Sequence, residues 1–356
     1  MSTQVAGTRF PFPVPFGWFC IGYPDEFAAG TSTARFYFGH HLVVWRDAHD
    51  ELHVQDAFCP HLGAHLGHGG TIDDRCIVCP FHGWKFDAEG TNTEIPYSER
   101  TNRKGRLRTY PVVERNGLVM AWYHPDEAVA PQWEVPELEE FSGSDPDWST
   151  LITFSYEIES AAQELAENGV DSAHFRYVHN TAEVPVLDVY DTEFPVATMR
   201  SSQKFPTPRG VMEGRIDSTS YGPGLSKISF SGIIDTLNIG CATPIDADRT
   251  LLRFNFRFKT LGDLDATRND GHAFCKEVNK QVLEDKVIWE HKAHLVRPAL
   301  ADTDGPFTKF RKWYAQFYAE GVAEDRLVYE PPWWPERAGE SPAKATASAR
   351  WGTPDQ

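Results

Sequence analysis

No stretch of this 356-residue sequence approaches the ~20 apolar residues of a membrane span, and Met1 to Phe16 lacks the charged-then-apolar pattern of a secretory signal. The sequence therefore reads as a cytoplasmic chain with no membrane span. Basic residues are scarce: 34 Lys and Arg stand against 51 Asp and Glu, a formal net charge of -17. A phosphate backbone is bound by clustered cations, so nucleic acid is excluded as a partner. An acidic surface suits a basic redox partner, and it equally suits plain solubility. A Gly-rich nucleotide fingerprint is missing, so any flavin or nicotinamide chemistry must reside on another polypeptide. Cysteine is limited to six positions: Cys20, Cys59, Cys76, Cys79, Cys241 and Cys275. Disulfides are not expected in a reducing compartment, and the clustered cysteines read first as metal ligands.

What the sequence does hold is enough apolar material for a large core, 41% hydrophobic and 13% aromatic. The length suits two domains or one large one. The first third alternates like β-structure. Ala34 to Trp45 and Leu52 to Phe58 are strand-like around the polar hairpin loop Arg46–Glu51, and Cys76–Val78, Leu107–Val113 and Leu118–Tyr123 add short strands. This predicts a small antiparallel β domain over 16–125. Residues 126–150, rich in Pro, Glu and Asp, read as a connecting segment laid over the surface. A second domain is expected over 126–335. It holds a helical stretch from Ser160 to Val178, strands from Val186 to Lys259 and a helix from Asp270 to His294. On that last helix Phe274, Val278, Val282, Asp285 and Trp289 form one stripe at steps of four and three. Residues 336–356 are Ala/Ser/Pro/Gly-rich and are expected to be disordered.

Two loops carry the strongest chemical signal: Cys59-Pro60-His61, then 17 residues, then Cys79-Pro80-Phe81-His82. A Rieske [2Fe–2S] centre needs two thiolates on one iron and two imidazoles on the other, which is what these loops supply. Gly63, Gly67, Gly69, Gly70 and Gly83 would let backbone close around the sulfides. A structural zinc site built on Cys76-x-x-Cys79 with Cys59 and a histidine is the rival, but it leaves the matched loops unexplained. In the Rieske reading Cys76 is a buried strand residue, and His65 and His68 are polar loop residues.

A second constellation runs from Glu167 to His179. His174 and His179 with one carboxylate would make the facial triad that leaves metal positions open to dioxygen and substrate. Their spacing of five places them about 140° apart on an ideal helix, so they converge only if the helix ends or bulges between them. Asp285, buried in the apolar stripe, must have a cationic partner, which is either a metal or a Lys or Arg. Glu277, Glu284 and Glu290 fall off that stripe and read as solvated charges. Asp171 can accept a hydrogen bond from an imidazole, serve as a fourth ligand or be a plain helix acid, and Asn168 belongs to the same polar patch.

With both constellations in place, the sequence resembles the Rieske non-haem iron oxygenases along nearly its whole length. The paired cluster loops are joined by Asn168-x-x-Asp171-x-x-His174-x-x-x-x-His179 and an acidic residue on a late helix. The resemblance implies cluster ligands Cys59, His61, Cys79 and His82, and iron ligands His174, His179 and Asp285. It makes Asp171 a bridge between an iron-ligand histidine and a cluster histidine of the neighbouring subunit. It also implies an α+β fold, in which an antiparallel β Rieske domain precedes a helix-grip catalytic domain with an antiparallel sheet and long C-terminal helices. A homotrimer and a separate NAD(P)H-dependent reductase of the flavin/iron–sulfur type follow from it as well. Asp285–Lys292 (DKVIWEHK), Asp304-Gly305-Pro306 and Phe310–Tyr318 (FRKWYAQFY) are similar to the branch holding 3-ketosteroid 9α-hydroxylases and cholesterol 7-desaturases. Dioxygen and a hydrophobic, steroid-like substrate are then expected, with hydroxylation the first reading and desaturation or attack on an aromatic ring the alternatives. The C-terminal aromatic run is expected to pack between subunits. An electron carrier with no chemistry of its own is the rival from another class, but it would leave about 230 residues beyond the cluster domain without a purpose. A zinc-stabilised binding domain is the third reading.

Overall fold

The computed structural model describes residues 9–141, 147–207, 210–232, 234–260 and 264–319. The expected disordered tail, 336–356, lies outside them. The described residues divide into two compact units, Phe16–Gly143 and the remainder, with residues 9–15 belonging to the second.

The Phe16–Gly143 unit is built of short antiparallel strands: β1 (Gly17–Gly22), β2 (Ser32–Tyr37), β3 (His40–Arg46), β4 (Leu52–Asp56), β5 (Thr71–Asp73), β6 (Cys76–Val78), β7 (Lys85–Phe86), β8 (Asn92–Glu94), β9 (Thr109–Tyr110), β10 (Val112–Arg115) and β11 (Leu118–Tyr123). They form sheets ordered β1-β11-β10, β2-β3-β4-β9 and β5-β6-β7-β8. The run Ala34–Trp45 is two strands of a hairpin rather than one. Phe38 and Gly39 turn it with φ of 60° and 77°, a conformation that alternation alone does not reveal. In the Arg46–Glu51 loop, the buried Asp47 carboxylate accepts the backbone N–H groups of His49 and Glu51 at 2.8 and 2.9 Å. The segment following β11 does more than lie on the surface. Val135, Leu138 and Phe141 are buried, and Asn116 clasps the chain by donating to Pro136 O and accepting from Leu138 N.

The second unit centres on one antiparallel sheet. Its strands are β12 (Ile152–Ile158), β13 (Val186–Glu193), β14 (Val196–Thr207), β15 (Gly210–Tyr221), β16 (Leu225–Ser231), β17 (Thr236–Pro244) and β18 (Thr250–Phe258), in the order β12-β18-β17-β16-β15-β14-β13. Leu252, Phe254, Phe256 and Phe258 share one face of β18, as their alternation requires. The helix Leu264–Trp289 packs there: Val282 and Trp289 cluster with Leu252 and Ile158, and Phe274, Cys275 and Val278 with Phe256 and Phe258. The opposite face of β18 is also closed, with Arg253, Asn255 and Arg257 all buried and Asn255 bonded to Asn238 and to Ile239 O.

The long helix, α3 (Leu264–Trp289), starts six residues before and ends five before the expected Asp270–His294, and α4 (Phe307–Tyr314) follows it. The expected helix over Ser160–Val178 is broken into α1 (Ala162–Glu167), a 3-10 turn (Asn168–Val170) and α2 (Ala173–Tyr177). Gly305 explains why the broken segment can be held so closely, because a Cβ there would sit 1.8 Å from Val170 O. No helix among the described residues is long and apolar enough to cross a membrane.

Beneath this segment lies a buried charge network. Glu164 is fully buried between Lys292 and His294, each 2.7 Å away, and Glu167 receives Arg311 through Nε at 2.6 Å and a second nitrogen at 2.8 Å. Burial alone would push the Glu164 carboxyl up. His294 and Lys292 overcome that and hold it down at about 2. A depressed carboxylate pKa gives stability that is fully present above the ordinary value near 4.5 and is lost as pH falls toward about 2. Removing one partner of a buried pair leaves the other uncompensated. Glu164→Ala is therefore predicted to cost about 3–5 kcal/mol at pH 7, measured by urea denaturation. An unchanged transition would show that the network is not stabilising.

Candidate metal centres

In the β unit, two loops repeat one backbone pattern. Cys59 N donates to Ala64 O and Gly63 N to Cys59 O, at 2.8 and 2.9 Å; Cys79 N donates to Trp84 O and Gly83 N to Cys79 O, at 2.8 and 3.0 Å. Each turn depends on a glycine with left-handed φ, 76° at Gly63 and 71° at Gly83, which side chains other than glycine resist. The thiols are 2% and 3% exposed within an apolar cluster that includes Trp45, Leu66, Ile77 and Phe86. Burial, together with the neighbouring Cys79, pushes the Cys59 thiol up to about 11, so a metal rather than water must take its proton's place for it to ligate.

His61 and His82 complete the cradle, their ring centroids 4.6 Å apart at 71°, with His61 stacked on Trp84. Nδ1 of each ring is buried, with no hydrogen-bond partner among the described residues. Orphaned buried nitrogens are costly, and two on neighbouring rings, in the loops that carry two buried thiols, fit a cluster's imidazole-bound iron. A tetrahedral zinc ion would draw its ligands to roughly 4 Å of one another. Among the described residues, no three of Cys59, His61, Cys76, Cys79 and His82 come within 4.8 Å of each other. Cys76 is partly exposed rather than buried, its sulfur 3.7 Å from Thr93 Oγ1, because it opens the three-residue strand β6 directly after the turn from β5. His65 Nδ1 accepts from Gly67 N, a loop role.

In the second unit, His174, His179 and Asp285 present ligand atoms all within 4.8 Å of one another. The spacing of five resolves as it must: α2 ends at Tyr177, so His179 lies past the helix and its ring meets His174 at 83°. The side chain of Asp285 is 10% exposed, and its charged neighbour is His179 Nε2 at 3.3 Å. No Lys or Arg pairs with it among the described residues.

Hydrogen bonds assign the ring protons. His174 Nδ1 donates to Asp171 O at 2.5 Å, which leaves Nε2 to face Asn168 Nδ2 at 3.2 Å. Asn168 Nδ2 also donates to Asp285 Oδ2, so one amide touches two of the three candidate ligands. The bond expected of the Asp171 side chain is made by its main-chain carbonyl instead. The carboxylate accepts from Ala173 N and His174 N, because the chain has turned to start α2 there.

Glu284 departs most from its sequence reading. Rather than being solvated, its carboxylate lies 2.9 Å from His179 Nδ1. Off the stripe by one residue, it reaches around the imidazole from the side, which helical periodicity does not register. Burial would raise its carboxyl, yet His179 and Lys280 hold it below the ordinary range. Burial likewise pulls His179 down, and Asp285 and Glu284 more than reverse this. Burial lowers His174 by more than Asp285 and Asp171 raise it. Glu277 and Glu290 pair with Lys280 and Lys286 on the helix surface.

The three candidate ligands open into a cavity of about 250 Å³, walled by β13–β18, α3 and α4. Its lining is mostly apolar, with Met199, Ile216, Ile228 and Leu252 among the contributors. Two buried polar atoms on lining residues, Asn238 Nδ2 and Tyr190 OH, have no hydrogen-bond partner among the described residues. Phe310, Trp313 and Tyr314 also form the wall, so the C-terminal aromatics are buried inside their own chain rather than reserved for subunit packing. The α4 stripe at steps of three and four turns them inward.

Comparison with known proteins agrees with this geometry. Residues 17–111 match the Rieske [2Fe-2S] domain, and residues 121–318 the 3-ketosteroid 9alpha-hydroxylase C-terminal domain. An oxygenase component of 3-ketosteroid-9-alpha-monooxygenase from Rhodococcus rhodochrous is 32% identical, covering 85% of this chain and 84% of the relative. Cholesterol 7-desaturase from Caenorhabditis elegans is 30% identical over 86% and 77%. A crystal structure of dicamba monooxygenase bound to dicamba shares the fold at 19% identity, with a TM-score of 0.68 over 88% of this chain and 98% of that one. With a Rieske domain at one end and the hydroxylase C-terminal domain at the other, this chain belongs to the Rieske non-haem iron oxygenases, in the 3-ketosteroid 9α-hydroxylase branch.

Proposed function

We propose that this terminal oxygenase hydroxylates a steroid-like hydrophobic substrate, taking electrons from a separate NAD(P)H-dependent reductase. The observation that carries this reading is the apolar cavity with His174, His179 and Asp285 in its wall. In the balanced reaction, one C–H bond, O2, two electrons and two protons yield an alcohol and water. Iron held by those three residues would supply dioxygen activation, and a cluster held by Cys59, His61, Cys79 and His82 would supply single electrons.

The remaining work falls to the chain itself. The apolar lining takes up the substrate by burying its hydrocarbon surface. Asn238, whose Oδ1 is engaged by Asn255 N, and Tyr190 line the cavity with side-chain donors unspent among the described residues, and either would turn toward the cavity to donate to an oxygen on the substrate. Asn168 and the Asp171 carbonyl hold His174 so that Nε2 faces the centre. Exclusion of water from the cavity protects the reacting carbon.

Desaturation is the second reading, favoured by the cholesterol 7-desaturase relative, which is nearly as similar as the hydroxylase components. It uses the same inputs but removes two hydrogens from the substrate and yields two waters. A cytoplasmic homotrimer, with Asp171 linking a cluster histidine of a neighbouring subunit to His174, accompanies this proposal on the strength of the family resemblance. Exposed Leu62 and Phe81 beside the cluster histidines support a subunit contact there. Light scattering should read three chains per particle, and a monomer would refute that assembly.

A single turnover tests the reaction. Chemically reduced, iron-replete protein would meet O2 with 3-ketosteroids, sterols and aromatic acids, and products would be read by mass spectrometry. A steroid gaining one oxygen is expected. Loss of two hydrogens would replace hydroxylation with desaturation, and reaction of an aromatic acid alone would overturn the steroid proposal. Iron should number about three per chain, against about two for a mere electron carrier.

Asp171→Asn separates the residue's two parts. The main-chain carbonyl that orients His174 survives, and an Asn oxygen can still accept from Ala173 N and His174 N. Iron content should therefore stay unchanged, while turnover with reductase falls by more than about tenfold. Full turnover would remove the carboxylate from the proposed link between subunits.

A further inference from the structure

We infer that Glu284 is a positioning residue for the mononuclear iron site, fixing the ring of His179 and adding a negative charge beside it. The inference rests on the proposed iron ligands His174, His179 and Asp285.

The bland account of Glu284 is a surface acid paired with Lys280 one turn away on α3. The distances favour the imidazole: Glu284 lies 2.9 Å from His179 Nδ1 and 3.4 Å from Lys280 Nζ. Exposure separates the two partners further. The Lys280 side chain is 62% exposed and can turn to water, whereas that of His179 is 1% exposed. A buried ring N–H without an acceptor costs its full desolvation, so for His179 Glu284 is no optional partner.

Consecutive residues on a helix project about 100° apart. Asp285 and Glu284 exploit this by gripping one imidazole from opposite nitrogens, Asp285 near Nε2 and Glu284 at Nδ1. A carboxylate only accepts, so the proton stays on Nδ1 and the lone pair of Nε2 is kept for the metal. The other candidate histidine is held differently, by the neutral carbonyl of Asp171. The two imidazoles are therefore not equivalent. A full negative charge behind His179 makes it the more basic donor and offsets part of a bound dication's charge.

The test is iron retention, with the cluster as an internal measure of protein amount and a urea transition of the second unit as the control for folding. Holoenzyme and variants would be equilibrated with graded ferrozine, and mononuclear iron counted against the cluster's visible absorbance. Glu284→Ala is expected to release its iron at about 10- to 100-fold lower chelator than wild type, with cluster absorbance unchanged. Glu284→Gln, whose side-chain oxygen can still accept from Nδ1, should lose less. Lys280→Ala should behave as wild type.

Retention by Glu284→Ala equal to wild type would overturn the inference, as would a Lys280→Ala variant that loses iron equally. His174→Ala and Asp285→Ala distinguish the levels of failure. If these keep their iron, the proposed ligand set itself is wrong. If they lose it while Glu284→Ala does not, only the role of Glu284 falls.

Discussion

A carboxylate set into the apolar stripe of a helix is an unstable arrangement unless positive charge comes to meet it, and Asp285 imposes that demand on everything around it. Val282 and Trp289 bury their side chains against Leu252 and Ile158, each contributing roughly 1.5–3 kcal/mol, and in doing so carry Asp285 out of water. With no Lys or Arg at hand among the described residues, the chain brings two imidazoles and an amide instead. The segment Ala162–Tyr177 is broken into short turns so that these groups arrive together. A continuous helix would have pointed His174 and His179 apart.

Breaking a helix exposes backbone groups and loosens the segment, so the neighbourhood is braced. Asp171 satisfies two N–H groups at the start of α2 while its carbonyl holds His174. Gly305 allows the chain after α3 to lie against Val170. Glu164 and Glu167, paired with Lys292, His294 and Arg311, tie α1 to the segment after α3 and to α4 itself. The cluster cradle achieves rigidity by another route. Its two loops are local hairpin-like turns with the same hydrogen bonds, each closed by a glycine, so few distant contacts are needed to shape them.

That contrast explains how unevenly the sequence could be read. Cys59, His61, Cys79 and His82 stand in two short matched motifs, because ligands within one tight turn must be neighbours in the chain. His174 and His179 were legible as a candidate pair only on the condition that the helix ends or bulges between them, since their convergence depends on where α2 stops. Asp285 stood out as a misplaced charge in a stripe, and it was the family resemblance that made it a ligand. Glu284 was missed because helical periodicity reports the direction of a Cα–Cβ bond and not the reach of three further bonds. The hairpin at Phe38-Gly39 and the inward turn of Phe310, Trp313 and Tyr314 were likewise hidden in composition that suits several arrangements.

By itself, then, the sequence determined the chemistry on offer: thiolates and imidazoles for a cluster, histidines and a carboxylate for a metal, and apolar strands for a pocket. These follow from residue type and short-range spacing, which folding does not change. Only the tertiary structure decided which nitrogen of each imidazole faces the centre, which oxygen of Asp171 holds His174, and that Glu284 stands behind His179. The hold on His174 is local, three residues back in the chain, but it depends on where the helix breaks, and the Glu284 contact brings atoms 105 residues apart to 2.9 Å; periodicity carries no record of either.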